Sequence, residues 1–191
     1  MKKILTLIAF TLVLPAQAEI FRAKFGDSKL TINGDSSVHK WKVETKVVGG
    51  FLQVDSAALA EAGKIEAKGK VIIPVRQLKS GKKRMDEVMH AAMNEKKHKL
   101  IDFTLAGLNV NSVKGGVANC ASNGSIKING KTKPLTMDIS IASKGDQLVV
   151  RGSANLKMTD FGIKPPSPKL PTGSIVTKDE IKIIFEWVVA K

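Results

Sequence analysis

Alternation of apolar and polar residues dominates the chain. Trp41, Val43, Thr45 and Val47 share one parity, as do Ile65, Ala67, Gly69, Val71, Ile73 and Val75, with Glu66, Lys68 and Lys70 on the other side. The same period returns at Ile101, Phe103 and Leu105, at Ile126 and Ile128, at Leu135, Met137, Ile139 and Ile141, and at Leu148, Val150, Ala154, Leu156 and Met158. It closes the chain at Ile181, Ile183, Phe185, Trp187 and Val189. A period of two places alternate side chains on opposite faces of a strand, so each run predicts a strand with one buried face.

Turn residues fall between these runs. Asn129-Gly130 separates two of them and Lys144-Gly145-Asp146 the next two, which predicts consecutive antiparallel hairpins. A single stretch follows the helical period instead. Met85, Val88, Met89, Ala92 and Met93 fall at i, i+3, i+4, i+7 and i+8, with Asp86, Glu87 and His90 facing elsewhere, between Ser80-Gly81 and Asn94. Pro165-Pro166-Ser167-Pro168, with Pro171 and Gly173, reads as a stiff loop before the last strand. Many alternating strands and one helix predict an all-β antiparallel meander that closes into a barrel and so removes its edges; a sandwich is the alternative. The inward positions are apolar and free of charge. Such an interior either packs solid or encloses an apolar cavity.

The N-terminus changes this picture. Met1-Lys2-Lys3 is basic, Ile4 to Leu14 is an uncharged apolar run of 11 residues, and Ala16-Gln17-Ala18 follows Pro15. This is the pattern of a secretory signal peptide cleaved after Ala18, since a spanning helix needs about 20 residues. Residues 19–191 then form one domain of a soluble periplasmic or, as second choice, secreted protein. No cysteine follows the cleavage site to accept a lipid anchor.

Composition adds a charge question. The 191 residues carry 31 Lys+Arg against 17 Asp+Glu, a formal net charge of +14, which becomes +12 once Lys2 and Lys3 leave with the signal. Export makes nucleic acid an improbable partner, and Trp41, Phe103, Phe185 and Trp187 fall in the alternating runs of core positions. Lys79, Lys82, Lys83, Arg84, Lys96, Lys97 and Lys99 crowd the helix. A solvated face is the plain reading. The sharper one is a basic rim at Lys82, Lys83 and Arg84 that attracts an anionic membrane surface or the phosphate of a lipid carrier. Cys120 is alone, so no disulfide supports the fold and none of the spacings of a nucleophile or a metal site accompanies it. His39, His90 and His98 are likewise scattered, and no metal or cofactor is expected. Asp160-Phe161-Gly162 reads as a turn in which Asp160 bonds backbone and Phe161 plugs the barrel.

Four segments, in order, resemble the YceI-like family. They are Asp35-Ser36-Ser37-Val38-His39-Lys40-Trp41; Leu78 to Asp86 leading through the helix to Ile101-Asp102-Phe103-Thr104-Leu105; Gly124 to Leu135 around Asn129-Gly130-Lys131-Thr132-Lys133-Pro134; and Thr159-Asp160-Phe161-Gly162-Ile163. Lys40 stands where such members often carry Asp, and His98-Lys99 replaces an aromatic-Pro pair. The resemblance implies an exported, non-enzymatic, lipocalin-like barrel holding a long apolar lipid, polyisoprenoid or quinone-like, by burial. On parity, Val43, Val71, Ile73, Met89, Phe103, Ile128, Ile139, Val150, Phe161 and Phe185 are expected to line or plug its cavity. The methionine stripe reads equally as core packing and as an adaptable lid. Two other classes remain open: a solid barrel displaying a basic surface to envelope partners, and an enzyme using His39 on a lipid head group. A homodimer is compatible with everything in the sequence.

Overall fold

The computed structural model describes residues 18–170 and 173–191. The signal segment lies outside these, apart from Ala18. In chain order the elements are β1 (Glu19–Ala23), β2 (Lys29–Gly34), β3 (Trp41–Thr45), β4 (Gly49–Val54), β5 (Gly63–Ile65), β6 (Ala67–Pro74), α1 (Lys83–Ala92), β7 (Leu100–Lys114), β8 (Val117–Ile128), β9 (Lys131–Lys144), β10 (Gln147–Lys157), the short pair β11 (Lys169–Leu170) and β12 (Gly173–Ser174), and β13 (Glu180–Ala190). The strands β1-β4-β6-β7-β8-β9-β10-β13 follow one another by antiparallel pairing, and β13 pairs back to β1, closing an eight-stranded barrel. The predicted all-β barrel with one helix is therefore the fold.

Several wall positions are shared by two successive strands. β1 and β2 both pair with β13, through Arg22↔Ala190 and Leu30↔Phe185, and they flank a break at residues 24–28. There the buried Ser28 hydroxyl accepts the Val188 amide at 3.1 Å, replacing a lost ladder bond. β3 and β4 are broken in the same way between Thr45 and Gly49. This corrects the single parity expected over Trp41–Val47: the Thr45 side chain accepts the Val47 amide at 3.0 Å, and Val48 rather than Val47 is buried. An extra residue in one strand flips every side chain that follows.

The hairpin β7–β8 exceeds expectation. Alternation marked only Ile101–Leu105 and Ile126–Ile128, yet the strands run for 15 and 12 residues. Register shifts between Leu105 and Gly107 and between Val110 and Ser112 interrupt the period along β7. The loop joining them is Gly115-Gly116, both with positive φ, the two-residue turn whose twist matches its strands. Asn129-Gly130 does the same for β8–β9, at φ 50° and 76°.

Strand direction gives the barrel two unlike ends. The β7–β8 and β9–β10 turns and the β4–β5 connection lie at one end. The β2–β3 turn, the β6–α1–β7 connection and the long β10–β13 connection lie at the other. At this second end β6 stops at Pro74, and the wall beside β3 continues only through the backbone pair Glu44–Lys79. α1 follows immediately. Its first turn is tied down by Asp86, which accepts from the Ser80 amide at 2.7 Å and the Ser80 hydroxyl at 2.6 Å. Asp86 is thus buried, whereas the helical pattern set it apart only from the methionine face.

Candidate functional site

Hydrophobic side chains fill one end of the barrel and merely line the other. Toward the β7–β8 turn, Phe21, Val54, Val110, Leu148 and Val189 are at most 1% exposed and pack against one another. Toward α1, a continuous cavity of about 680 Å³ runs up the barrel axis. Its lower limit falls within single strands. Leu108 lines it but Val110 does not; Val150 does and Leu148 does not; Trp187 does and Val189 does not.

Glycine keeps this half hollow. Inward-facing Gly152 lies opposite Phe185 in the β10–β13 ladder, and a Cβ there would sit 2.8 Å from the Phe185 ring and 2.9 Å from Ile139. A Cβ on Gly124 would lie 2.6 Å from the Phe103 ring, and one on Gly34 would collide with the Trp41 indole. Each aromatic ring therefore lies down over a neighbouring strand's missing side chain instead of standing into the lumen. Three rings widen the bore where they would ordinarily fill it.

All ten residues expected to line or plug the cavity are on this wall: Val43, Val71, Ile73, Met89, Phe103, Ile128, Ile139, Val150, Phe161 and Phe185. α1 presents Met85, Val88, Met89, Ala92 and Met93 to the same space, so the methionine stripe closes the cavity's side where β6 has ended. Trp41, Ile181 and Ile183 also line it and lie on the inward parity of their runs, whereas Leu30 and Ile32 belong to β2, a strand that no alternating run marked. Ser122, on β8, is a small polar residue in the wall; its hydroxyl donates to the Met137 carbonyl at 3.0 Å. The Trp187 indole N–H is the buried side-chain donor that finds no acceptor among the described residues.

The basic residues divide. Lys82 and Arg84 touch the cavity and Lys83 does not. Lining residues that are also exposed to solvent are His39, Lys82, Arg84 and Lys169, all at the α1 end, so the cavity reaches the surface there. No carboxylate lines it. The β10–β13 connection supplies Pro166, Pro168, Lys169, Ile175 and Thr177 to the opening. It is pinned to the β2–β3 turn by Ser37 N to Val176 O at 2.8 Å, and by Lys178, whose ammonium donates to Asp35 at 2.7 Å. That bond holds the Asp35 carboxyl below its usual range and raises Lys178. Burial would push the Asp86 carboxyl up, but the two Ser80 bonds outweigh it and hold it low.

One expectation at this end is revised. The turn after Met158 is held by Asp179, which accepts the Thr159 amide at 2.9 Å and hydroxyl at 2.6 Å, while Asp160 is exposed. Phe161 does plug the wall at 2% exposure, with Asn129 donating to its carbonyl. His98 has its own contact in place of an aromatic-Pro pair: its ring lies over Gly130, where a Cβ would stand 2.6 Å away. His39 is exposed, with Nδ1 3.1 Å from the Lys40 carbonyl oxygen and no carboxylate partner among the described residues. No group of three or more His, Cys, Asp or Glu that could hold a metal occurs among the described residues.

The profile of the YceI-like domain matches residues 21–189, nearly the whole barrel. The chain belongs to the YceI-like family. Solved structures share the fold at low identity. Burkholderia cenocepacia BcnA is 18% identical with a TM-score of 0.69, over 87% of this chain and 98% of that one. A polyisoprenoid-binding domain from Saccharophagus degradans, implicated in plant cell wall breakdown, is 10% identical with a TM-score of 0.68, over 89% and 97%. The Campylobacter jejuni YCEI protein is 12% identical with a TM-score of 0.58, over 100% and 93%. No curated protein matches the chain. At these identities the likeness covers the YceI-like fold, and the cavity must be argued from its own residues.

Proposed function

We propose that this YceI-like protein is a non-enzymatic periplasmic carrier or store that holds one long apolar chain, polyisoprenoid or quinone-like, inside its half-hollow barrel. The observation that carries the reading is an apolar cavity of about 680 Å³ with no carboxylate on its wall and a methionine helix along its side. Such a space has little to offer a polar substrate and much to offer a hydrocarbon. At about 0.8 kcal/mol per buried CH₂, ten methylenes gain about 8 kcal/mol before the costs of immobilisation. Flexible thioethers let Met85, Met89 and Met93 follow a bent chain without a cavity of fixed shape. The Saccharophagus relative described as a polyisoprenoid-binding domain supports the same class of ligand. The N-terminal leader pattern supports export.

The test is direct. The full chain is expressed in a bacterial host, released by osmotic shock, purified without detergent, extracted with organic solvent and analysed by mass spectrometry. A near-stoichiometric polyisoprenoid or quinone, on a protein whose first residue is Glu19, is the expected result. Protein that carries no apolar molecule and takes up none from added prenyl lipids overturns the reading. Because His39 has no carboxylate partner among the described residues, His39→Ala is expected to leave lipid content unchanged, and loss of a lipid-modifying activity in that variant would favour an enzyme instead.

A further inference from the structure

Around the cavity's opening, apolar tips and unpaired cations occur together. Val38 is 62% exposed and Val176 58%, two of the most exposed large hydrophobic residues among those described. They belong to facing loops joined by the Ser37–Val176 backbone bond and by Val176 N to Ser37 Oγ at 3.0 Å, so they form one projecting pair. Their chain neighbours His39 and Ile175 line the cavity. Lys40, Lys82, Lys83 and Lys169 are all exposed at this end, and none makes an ion pair among the described residues.

Most acidic groups nearby are already engaged; the exposed Asp160, which shares a surface groove with Lys40, makes no ion pair among the described residues. Asp35 holds Lys178, Glu87 lies 3.6 Å from Arg84, Glu95 lies 3.3 Å from Arg76, Asp86 accepts from Ser80 and Asp179 from Thr159. Lys82, Lys83 and Lys169 are therefore left without an ion-pair partner among the described residues, and cations outnumber free carboxylates at the opening. Single exposed apolar side chains are ordinary on a protein surface, but two valines at 58–62% exposure joined into one projecting tip beside unpaired lysines make an apolar point set among cations. An anionic bilayer fits both at once: lysines meet the headgroup charge and valines enter the interface below it.

We propose that the protein docks its open end onto anionic lipid bilayers, with Val38 and Val176 inserted at the interface and Lys40, Lys82, Lys83 and Lys169 on the headgroups. Docked this way, the cavity opens onto the membrane and a long apolar chain passes between the two without crossing water. The proposal rests on the lipid-binding reading, and its test separates the two. Co-sedimentation is measured with vesicles of phosphatidylcholine containing about one third phosphatidylglycerol, and with pure phosphatidylcholine. Cavity filling is measured separately with a fluorescent prenyl probe delivered from ethanol in the absence of membrane.

Wild type is expected to bind the anionic vesicles and not the neutral ones. The double change Val38→Asp/Val176→Asp is expected to lower vesicle binding at least tenfold while the soluble probe still fills the cavity; Val38→Ser/Val176→Ser guards against a folding defect. Lys83→Glu is expected to weaken binding about fivefold. Failure of wild type to bind anionic vesicles, or equal loss with Lys114→Glu/Lys144→Glu at the opposite end, overturns the docking proposal and leaves the lipid reading standing. Failure of the soluble probe to bind overturns the lipid reading itself.

Discussion

The two ends of this barrel are built from the same residue types and do opposite things. Below Trp187, the wall residues Phe21, Val54, Val110, Leu148 and Val189 meet one another and leave no space. Above it, Val150, Ile139, Phe103 and Ile181 face an opening of about 680 Å³. Hydrophobicity alone does not separate these halves. Two features do: three inward glycines that let aromatic rings lie flat, and a helix that replaces a strand pairing where β6 ends. One end holds the fold together so that the other can stay empty.

The largest expected difference is in stability. Leu148→Ala removes a side chain surrounded on every side and should cost about 2–5 kcal/mol, as large-to-small changes in packed cores do. Leu135→Ala, on the cavity wall, removes atoms that face empty space on one side and should cost less than about half as much in ligand-free protein. Urea denaturation of delipidated samples checks the contrast. Equal costs would mean that the upper half is packed in solution.

Filling the bore tests the same contrast from the other direction. Gly152→Val forces the Phe185 ring off the wall and into the lumen, since even a Cβ stands 2.8 Å from it. The strain should cost about 1–3 kcal/mol. The larger consequence is on binding, where uptake of a long prenyl lipid is expected to fall at least tenfold by fluorescence titration. Unchanged uptake would show that the ligand does not use this stretch of the barrel.

Acid should release two ties at the open end before it touches the middle of the barrel wall. Asp86 has its carboxyl held low in the fold, so its contribution is complete above the ordinary carboxylate value of about 3.9 and is lost as pH falls through the lower folded value. Asp35, held low chiefly by its bond from Lys178, behaves alike. Both fasten elements around the opening, Asp86 the start of α1 and Asp35 the β10–β13 connection. Hydrogen exchange at falling pH should show α1 amides losing protection before those of β8 and β10, and Asp86→Ala, worth about 1 kcal/mol, should bring that loss to neutral pH.

Much of this was legible in the chain, and the part that was not has a physical cause. Parity along single strands put eight residues on the wall, because a residue's side of the sheet is a local property, and the helical stripe and the Asp160-Phe161-Gly162 turn added Met89 and Phe161. Parity stalled in β7 and β8, where bulges shift the period and inward positions such as Ser122 and Gly124 carry no hydrophobic signal. Nor could it separate the solid half from the hollow one. That difference lies in which residues face each other across the ring, as Gly152 faces Phe185, and register is a property of pairs of strands. The tie between Ser80 and Asp86 was equally hidden, since a buried first-turn aspartate and a solvated one look alike in sequence.

The gentlest probe of the comparison is the lone cysteine. Cys120 sits at 1% exposure on β8, off the cavity wall, and burial pushes its thiol up to about 11. At pH 8 roughly one molecule in a thousand would be thiolate, and that one has no path to reagent. A disulfide reagent should therefore label native protein only as fast as the solid end opens globally, with no change in stability to complicate the reading. A cysteine introduced at the hollow end, Met89→Cys in a Cys120→Ala background, faces a cavity that reaches the surface between Lys82 and Lys169. It should label in native protein, and be protected when a prenyl lipid is bound. Rapid labelling of native Cys120 would place the floor of the cavity below Trp187 and shrink the solid half on which the rest of the barrel depends.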